Sequence, residues 1–438
     1  MAAMNGSNFN VLEMYFRGMI IGKISFDIDT EYFSIEYTKE WQENGFPISP
    51  MLPLSGRVPS SQVSIYLTNL LPENKGLDYL IEALGISKNN TFALIKGIGF
   101  DTSGAILYLP MDSKPQVTSF ISICEEDLIK RIEDPEMWPM EVWDGKPRLS
   151  VAGVQSKLNL FHIDTEYGFG EGDLCSTHIV KFEKNTQQHL VLNEFITMKL
   201  AELIGMQVAK VEVMPIGKYK ALSVTRFDRM YNAERKIVMR RHMIDACQAL
   251  GFSVARKYER NLGSSRDVKA IREGVSLDKL FSIAQHCANP AQAKYDMLRW
   301  TIFNLLVCNA DSHGKNYSFY VTANGLEPTP WYDLVNVQMY PEFDQELAMA
   351  IGDEFEPDEV HAYQLMLFAE ECGIKQSVLE ITLKQLAKAI INNVDKAVDL
   401  AWELTDAEFE YAEKYKHSIQ ARCEYYLAQT EEMKYILL

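Results

Sequence analysis

The sequence contains no pair of cysteines spaced as Cys-x-x-Cys. Its seven cysteines (Cys124, Cys175, Cys247, Cys287, Cys308, Cys372 and Cys423) are scattered, odd in number and never within four residues of one another. That argues against a metal knuckle or a disulfide framework and predicts reduced, buried thiols in a cytosolic chain. Long apolar runs are missing too; none approaches the ~18 residues of a membrane span. Met1 to Asn10 lack the basic start and apolar centre of a secretory signal. The expectation is a cytoplasmic protein with no membrane attachment. Positive charge is in deficit, with 43 Lys and Arg against 60 Asp and Glu, a net charge of −17. This argues against a dominant direct grip on nucleic acid or an anionic membrane, while leaving room for a local basic patch. No internal repeat or low-complexity tract is found.

The chain does have the means to build a large core: 438 residues, 47% of them hydrophobic. That length suits two or three domains or one large bilobal enzyme. Val11–Phe16 and Met19–Phe26 flank Arg17-Gly18, a hairpin signal. Helical patterns follow over Val63–Leu70, Gly76–Leu84 and Phe92–Lys96, then a strand over Ala105–Leu109. Between them Gly97 to Gly104 has a helix before it and a strand after it, the reverse of a dinucleotide-binding fingerprint. It reads as a turn whose glycines supply positive φ. Residues 116 to 145 are mixed and acidic and read as a linker or lobe junction. Strands return over Leu149–Ile163, His178–Phe182 and Val211–Phe227, with a helix over Val191–Ile204 closed by Gly205. Beyond Arg241 the chain is mostly helical. These patterns divide it into 1–115, 116–240 and 241–438.

The most informative run is Asn309-Ala310-Asp311-Ser312-His313-Gly314-Lys315-Asn316, followed by a strand-like Tyr317–Val321, a turn at Ala323-Asn324-Gly325, and Trp331-Tyr332-Asp333. Asp, Ser, His, Gly and Asn in a short run are, alone, ordinary turn chemistry. The order says more. Phosphoryl transfer from Mg·ATP needs an acidic group at the acceptor hydroxyl and two oxygen ligands for metal. A kinase catalytic loop places its Asn five residues after its base Asp, then a hairpin, then a second metal-binding Asp. Asp311, Asn316 and Asp333 keep that order. An apolar stretch, Met297–Cys308, reads as the buried helix that delivers the loop.

Lys181 sits in His178-Ile179-Val180-Lys181-Phe182. A lysine inside an apolar strand needs a partner or ligand to offset its desolvation. Glu194, in the next helix, is the partner a kinase would supply; a surface lysine blunting a strand edge is the alternative. Ser150-Val151-Ala152-Gly153-Val154-Gln155-Ser156-Lys157 lies where a phosphate-covering hairpin belongs. It is not a Walker loop, but its amides and Lys157 suit phosphate; a polar turn is the plainer reading. Thr225-Arg226-Phe227 ends the last strand, where an adenine-binding hinge falls, though a strand end with a solvated ion pair fits equally. His313 orders the loop or touches phosphate, and a lone histidine is more often structural.

Together these stretches resemble the HipA family of serine/threonine kinase toxins from bacterial toxin–antitoxin pairs. The resemblance also includes Leu52-Pro53-Leu54, Asn69-Leu70-Leu71-Pro72, Ser103-Gly104-Ala105, Arg226-Phe227-Asp228-Arg229 and Lys257-Tyr258-Glu259. It implies an α+β, bilobal protein-kinase-like fold with an extra N-terminal α/β subdomain and a mostly helical C-terminal lobe. It implies ATP and Mg²⁺, Asp311 as base, Asn316 and Asp333 as metal ligands, Lys181 on ATP phosphates and autophosphorylation at Ser150. Ser156 stands where an acidic residue is frequent in the family and is a candidate second acceptor. As partners it implies a HipB-like helix-turn-helix antitoxin, operator DNA through that antitoxin (hence a nucleoid-associated complex), and an aminoacyl-tRNA synthetase substrate, best known as glutamyl-tRNA synthetase. Phosphorylating that substrate would stall translation and arrest growth. A small-molecule phosphotransferase and a silent co-repressor scaffold are the competing classes.

Overall fold

The structure, a computed structural model, describes residues 9–436 except 112, 114–116, 141, 144–145, 148–155 and 184–186. The chain begins with a four-stranded antiparallel sheet of β1 (Phe9–Phe16), β2 (Met19–Asp27), β3 (Tyr32–Tyr37) and β4 (Leu107–Pro110) in the order β3-β2-β1-β4. Arg17 and Gly18 both take positive φ, as a tight hairpin turn between twisted strands requires. Leu12, Met14 and Phe16 alternate inward against α1 (Lys39–Asn44), α2 (Ser60–Thr68), α3 (Asn74–Leu84) and α4 (Thr91–Ile98).

The glycine run corrects one expectation. Gly97 is helical and Gly99 has φ −63; only Gly104 has φ above zero. A Cβ on Gly99 would stand 2.1 Å from the Tyr108 carbonyl, so close backbone approach, not left-handed geometry, requires glycine there.

The next unit is a six-stranded sheet in the order β11-β12-β10-β8-β9-β5. Its members are β5 (Ser119–Ser122), β8 (Lys157–Ile163), β9 (Glu166–Glu171), β10 (His178–Lys181), β11 (Val211–Ile216) and β12 (Tyr219–Thr225), with α5 (Glu125–Glu133), a small ribbon of β6 (Val142–Trp143) and β7 (Lys146–Pro147), and α6 (Leu190–Leu203). Residues 116–145 are therefore not a linker. β5 pairs with β9, and Leu128 of α5 joins Met140, Trp143, Leu158 and Val180 in this unit's own core. β9 was not foreseen: the sequence pattern assigns no element between Ile163 and His178, and two glycines interrupt Tyr167-Gly168-Phe169-Gly170. A Cβ on Gly168 would meet the Ile121 carbonyl at 2.3 Å, so the glycine marks close strand approach.

A hairpin of β13 (Arg229–Asn232) and β14 (Ile237–Arg240) leads into the helical lobe. This holds β15 (Met243–Asp245), α7 (Ala246–Leu250), α8 (Leu277–Ser282), α9 (Pro290–Leu306), β16 (Ser318–Thr322), β17 (Gly325–Pro328), α10 (Ala362–Glu371), α11 (Gln376–Asp399) and α12 (Asp406–Glu432). Asn289 caps α9 with Pro290 in its first turn, and a Thr405/Glu408 capping box starts α12. This lobe and the N-terminal unit share one continuous core, into which α6 also packs. Six cysteines are buried as expected, but Cys124 is exposed. Among the described residues no helix is long and apolar enough to cross a membrane.

Polar joints fix the N-terminal unit. Asp228 accepts from Arg226 Nε (3.0 Å), Arg229 (2.6 Å) and the Gly104 amide (2.9 Å), while Arg229 also reaches the Thr102 carbonyl (2.6 Å). Arg226 and Asp228 are 5% and 3% exposed, so the ion pair at the end of β12 is buried, not solvated.

Candidate active site

The site begins with α6, which is buried nearly all round and carries Glu194 into the interior. The adjacent strand β10 ends on Lys181, register partner of Lys157 on β8. Lys181 Nζ lies 2.6 Å from Glu194 Oε1 and 2.5 Å from Asp333 Oδ1. The surface-edge reading of Lys181 is thereby removed: its side chain is 9% exposed and doubly paired.

Asp333 reaches this point through the predicted hairpin. After β17, the Trp331 amide donates to the Gln207 carbonyl (2.8 Å) and its indole to Asp296 (3.1 Å). Asp333 then adopts φ 58, a left-handed conformation that costs on the order of 1 kcal/mol or more for a non-glycine residue. That strain turns the chain at the point where its carboxylate meets Lys181.

α9 delivers the other half. It ends at Leu306 and turns at Cys308, also left-handed with φ 58. The loop closes on itself: the His313 amide donates to the Asp311 carbonyl (2.9 Å), the Asn316 amide to the His313 carbonyl (2.8 Å), and Asn316 Nδ2 to the Asp311 carbonyl (2.9 Å). Since Asn316 Nδ2 is spent on that bond, its Oδ1 is left as the oxygen donor. His313 Nδ1 accepts from the Lys315 amide (3.2 Å). Burial first, then Lys257, holds its imidazole well below the usual range, so it is neutral. Its observed bond is to the loop itself.

A cleft of about 650 Å³ opens between these halves, lined by Lys157, Lys181, Thr225, Phe227, Asp311, Asn316 and Asp333 among others. Ser156, next to Lys157, is not among the lining residues; its carbonyl accepts from the Phe182 amide (3.0 Å). At the opposite wall the Thr225 hydroxyl meets His178 Nε2 (3.2 Å), and the Phe227 carbonyl accepts from Tyr320 (3.1 Å). The Arg226 amide donates to the Thr177 carbonyl (2.9 Å), so its N–H and its guanidinium are both used internally. Ser150, Val151, Ala152, Gly153, Val154 and Gln155 lie outside the described residues.

Charge is graded across the cleft. Burial pushes Asp333 up, but Lys181 and Lys157 overcome this and hold it well below the carboxylate range. Burial and then Lys181 bring the Lys157 ammonium down to about 8. Asp311 is open to solvent at the mouth, yet the crowding walls push it up to about 6 against the hydrogen bond from Tyr258. Among the described residues no cluster of three His, Cys, Asp or Glu side chains could hold a metal alone. An ionised Asp333 with Asn316 Oδ1 is instead the sparse oxygen set that suits Mg²⁺ completed by phosphate and water.

Residues 149–402 match the model of the HipA-like C-terminal domain and residues 12–109 that of the HipA N-terminal domain. The chain is 55% identical to the serine/threonine-protein kinase toxin HipA of Shewanella oneidensis over 97% of both chains. The chain belongs to the HipA family. A putative kinase of Sinorhizobium fredii, Y4mE, is 30% identical over 89% of this chain and 94% of its own. The solved Shewanella oneidensis MR-1 HipA, in its complex with HipB and operator DNA, superposes with a TM-score of 0.92 at 54% identity, covering 98% of this chain and 100% of that one. The fold is thus the HipA kinase fold, α+β as expected, and the chain is a serine/threonine-protein kinase of that toxin family.

Several lining residues of this HipA-family cleft had no role in the sequence reading. Lys315 Nζ pairs with Asp245 (2.6 Å) and the Asn69 carbonyl (3.1 Å). Lys257 pairs with Glu73 (2.7 Å). Tyr258 donates to Asp311 Oδ1 (2.6 Å). Asn69 and Glu73 come from the N-terminal unit, so that unit supplies part of the cleft wall. Asn69 and Lys257-Tyr258-Glu259 stood out only as family-like stretches; no local pattern assigns them partners far along the chain.

Proposed function

We propose that the cleft transfers the γ-phosphoryl group of Mg·ATP to a serine or threonine hydroxyl of another protein. The observation that carries this reading is the meeting of Lys181, Glu194 and Asp333 at 2.5–2.6 Å beside a loop presenting Asp311 and Asn316. Asp311 accepts the hydroxyl proton. Lys181, held by Glu194, binds phosphate oxygens, as do Lys157 and, by the family resemblance, residues 151–156. Thr225–Phe227 faces the adenine, chiefly through backbone groups. Asn316 and Asp333 hold Mg²⁺, which neutralises charge on the phosphates. His313 orders the loop.

The three-part division at 1–115, 116–240 and 241–438 then assigns an N-terminal subdomain, an ATP-binding small lobe and a catalytic large lobe. Ser150 is the autophosphorylation site. Phosphate there adds about −1.5 to −2 charge and competes with the ATP phosphates, switching the enzyme off. The protein substrate is an aminoacyl-tRNA synthetase, glutamyl-tRNA synthetase first among them. Its phosphorylation halts translation and promotes persistence. The Shewanella HipA sits in a complex with HipB and operator DNA. By that likeness this chain, with a net charge of −17, binds a HipB-like antitoxin in the cytoplasm and reaches operator DNA at the nucleoid through it.

Phosphopeptide mass spectrometry after expression of wild type and Asp311→Asn tests the proposal. Wild type should yield phosphorylated Ser150 and a phosphorylated synthetase, both missing from the variant. Phosphate found only on small molecules refutes it.

A further inference from the structure

The bond from Tyr258 to the base is not part of the transfer just described. A carboxylate on its own rotates broadly about χ2, whereas a general base must aim a lone pair at the proton it takes. Tyr258 Oη donates to Asp311 Oδ1 at 2.6 Å. Asp311 lines the cleft, and among the described residues its Oδ2 takes no hydrogen bond, so the second oxygen stays available.

Tyr258 is itself held. Its ring packs edge-on against His313, centroids 5.0 Å apart at 88°. The flanking backbone is pinned on both sides: the Lys257 carbonyl accepts from the Gly314 amide and the Glu259 amide donates to the Ala348 carbonyl, each at 2.9 Å. Behind it, a Cβ on Gly274 would come 1.7 Å from the Tyr258 carbonyl, so only glycine lets the two segments close up. Lys257 reaches back to Glu73 of α3's entry turn. The hydroxyl is thus fixed by the catalytic loop, the 348 segment and the N-terminal unit at once.

We infer that Tyr258 is a positioning residue that locks the Asp311 carboxylate through Oδ1 and leaves Oδ2 to receive the acceptor proton. The inference rests on the kinase reading. The Glu73–Lys257 pair couples this lock to the N-terminal unit.

Steady-state kinetics of phosphate transfer by the purified full chain test it, using Tyr258→Phe, Asp311→Asn and the double variant. Tyr258→Phe keeps the ring and removes the donor. Its kcat should fall roughly 10–100-fold, the scale of a hydrogen bond to a charged group, with KM for ATP within about two-fold. In the Asp311→Asn background the same change should cost nothing further, because the carboxylate it orients is gone. Equal losses in both backgrounds, an unchanged kcat, or a loss confined to KM overturns the assignment. If Tyr258→Phe does not fold, Tyr258→Leu, which also lacks the donor, is read in the same cycle with the same supporting and overturning results. Wild type that transfers no phosphate would instead sink the kinase reading before the cycle begins.

Discussion

Lys181 Nζ and Asp333 Oδ1, 152 residues apart in the chain, lie 2.5 Å from each other, with Glu194 completing the cluster on the far side of the ammonium. Burial alone would lower Lys181, but the two carboxylates hold it above its ordinary range. The ammonium is charged, and both halves of the cleft close on it.

Lys181→Met should abolish transfer and also destabilise the fold. Glu194 is 1% exposed, and removing the partner of a buried charge costs on the order of 3–5 kcal/mol. Adding Glu194→Leu should return much of the stability and none of the activity. Chemical denaturation and γ-phosphate transfer, measured on both variants, separate the two effects. Activity in either would remove Lys181 from the phosphate site.

The joint between the N-terminal unit and the small lobe should be as sensitive. Asp228 receives bonds from Arg226, Arg229 and Gly104 within a site 3% exposed. Asp228→Ala leaves Arg226 and Arg229 with Asp101 as their one remaining carboxylate among the described residues and should cost about 3–5 kcal/mol. Loss of less than about 1 kcal/mol in urea unfolding would contradict the description of this joint as a buried ion cluster.

Stability should fall in mild acid. His242 donates from Nε2 to the Ile48 carbonyl (2.9 Å), with Nδ1 turned to the Ala105 amide. Burial brings its pKa down to about 4, below the ~6.5 of an exposed imidazole. The unfolded chain therefore binds a proton that the folded chain refuses. Stability is full above pH 6.5 and is lost as pH drops from there towards 4, by about 3 kcal/mol for this one ring. His178, also brought to about 4, adds in the same direction. Asp228, held well below its ordinary range, contributes its loss only below about pH 4. Melting curves between pH 7.5 and 5 should slope downward in wild type and less so in His242→Gln. An equal slope would assign the effect elsewhere.

Much of the site was legible because kinase chemistry keeps a fixed order along the chain. Asp311, Asn316, the hairpin and Asp333 are read in sequence, and an apolar strand around Lys181 demands a partner such as Glu194. The signals that failed were those in which one residue type serves two purposes. Gly99 marks close backbone approach where a positive-φ turn was expected, which misassigned the run at the end of α4, and Gly168 does the same in β9, a strand whose glycines break the apolar pattern and left it unassigned. The pair at the end of β12 looks solvated in sequence because its partners, Asp101 and the buried Gly104, lie more than a hundred residues earlier. Tyr258, Glu73 and Asn69 had no local pattern, since only the tertiary fold brings them to the cleft.

The most direct measurement is transfer of labelled phosphate from γ-labelled ATP to protein by wild type and Asp311→Asn, with Mg·ATP affinity measured on the same preparations. Wild type should label serine or threonine in protein. The variant should be slower by about 10²–10⁴, with affinity unchanged within a few-fold. Equal labelling by the two proteins, or labelling confined to added small molecules, would contradict the account.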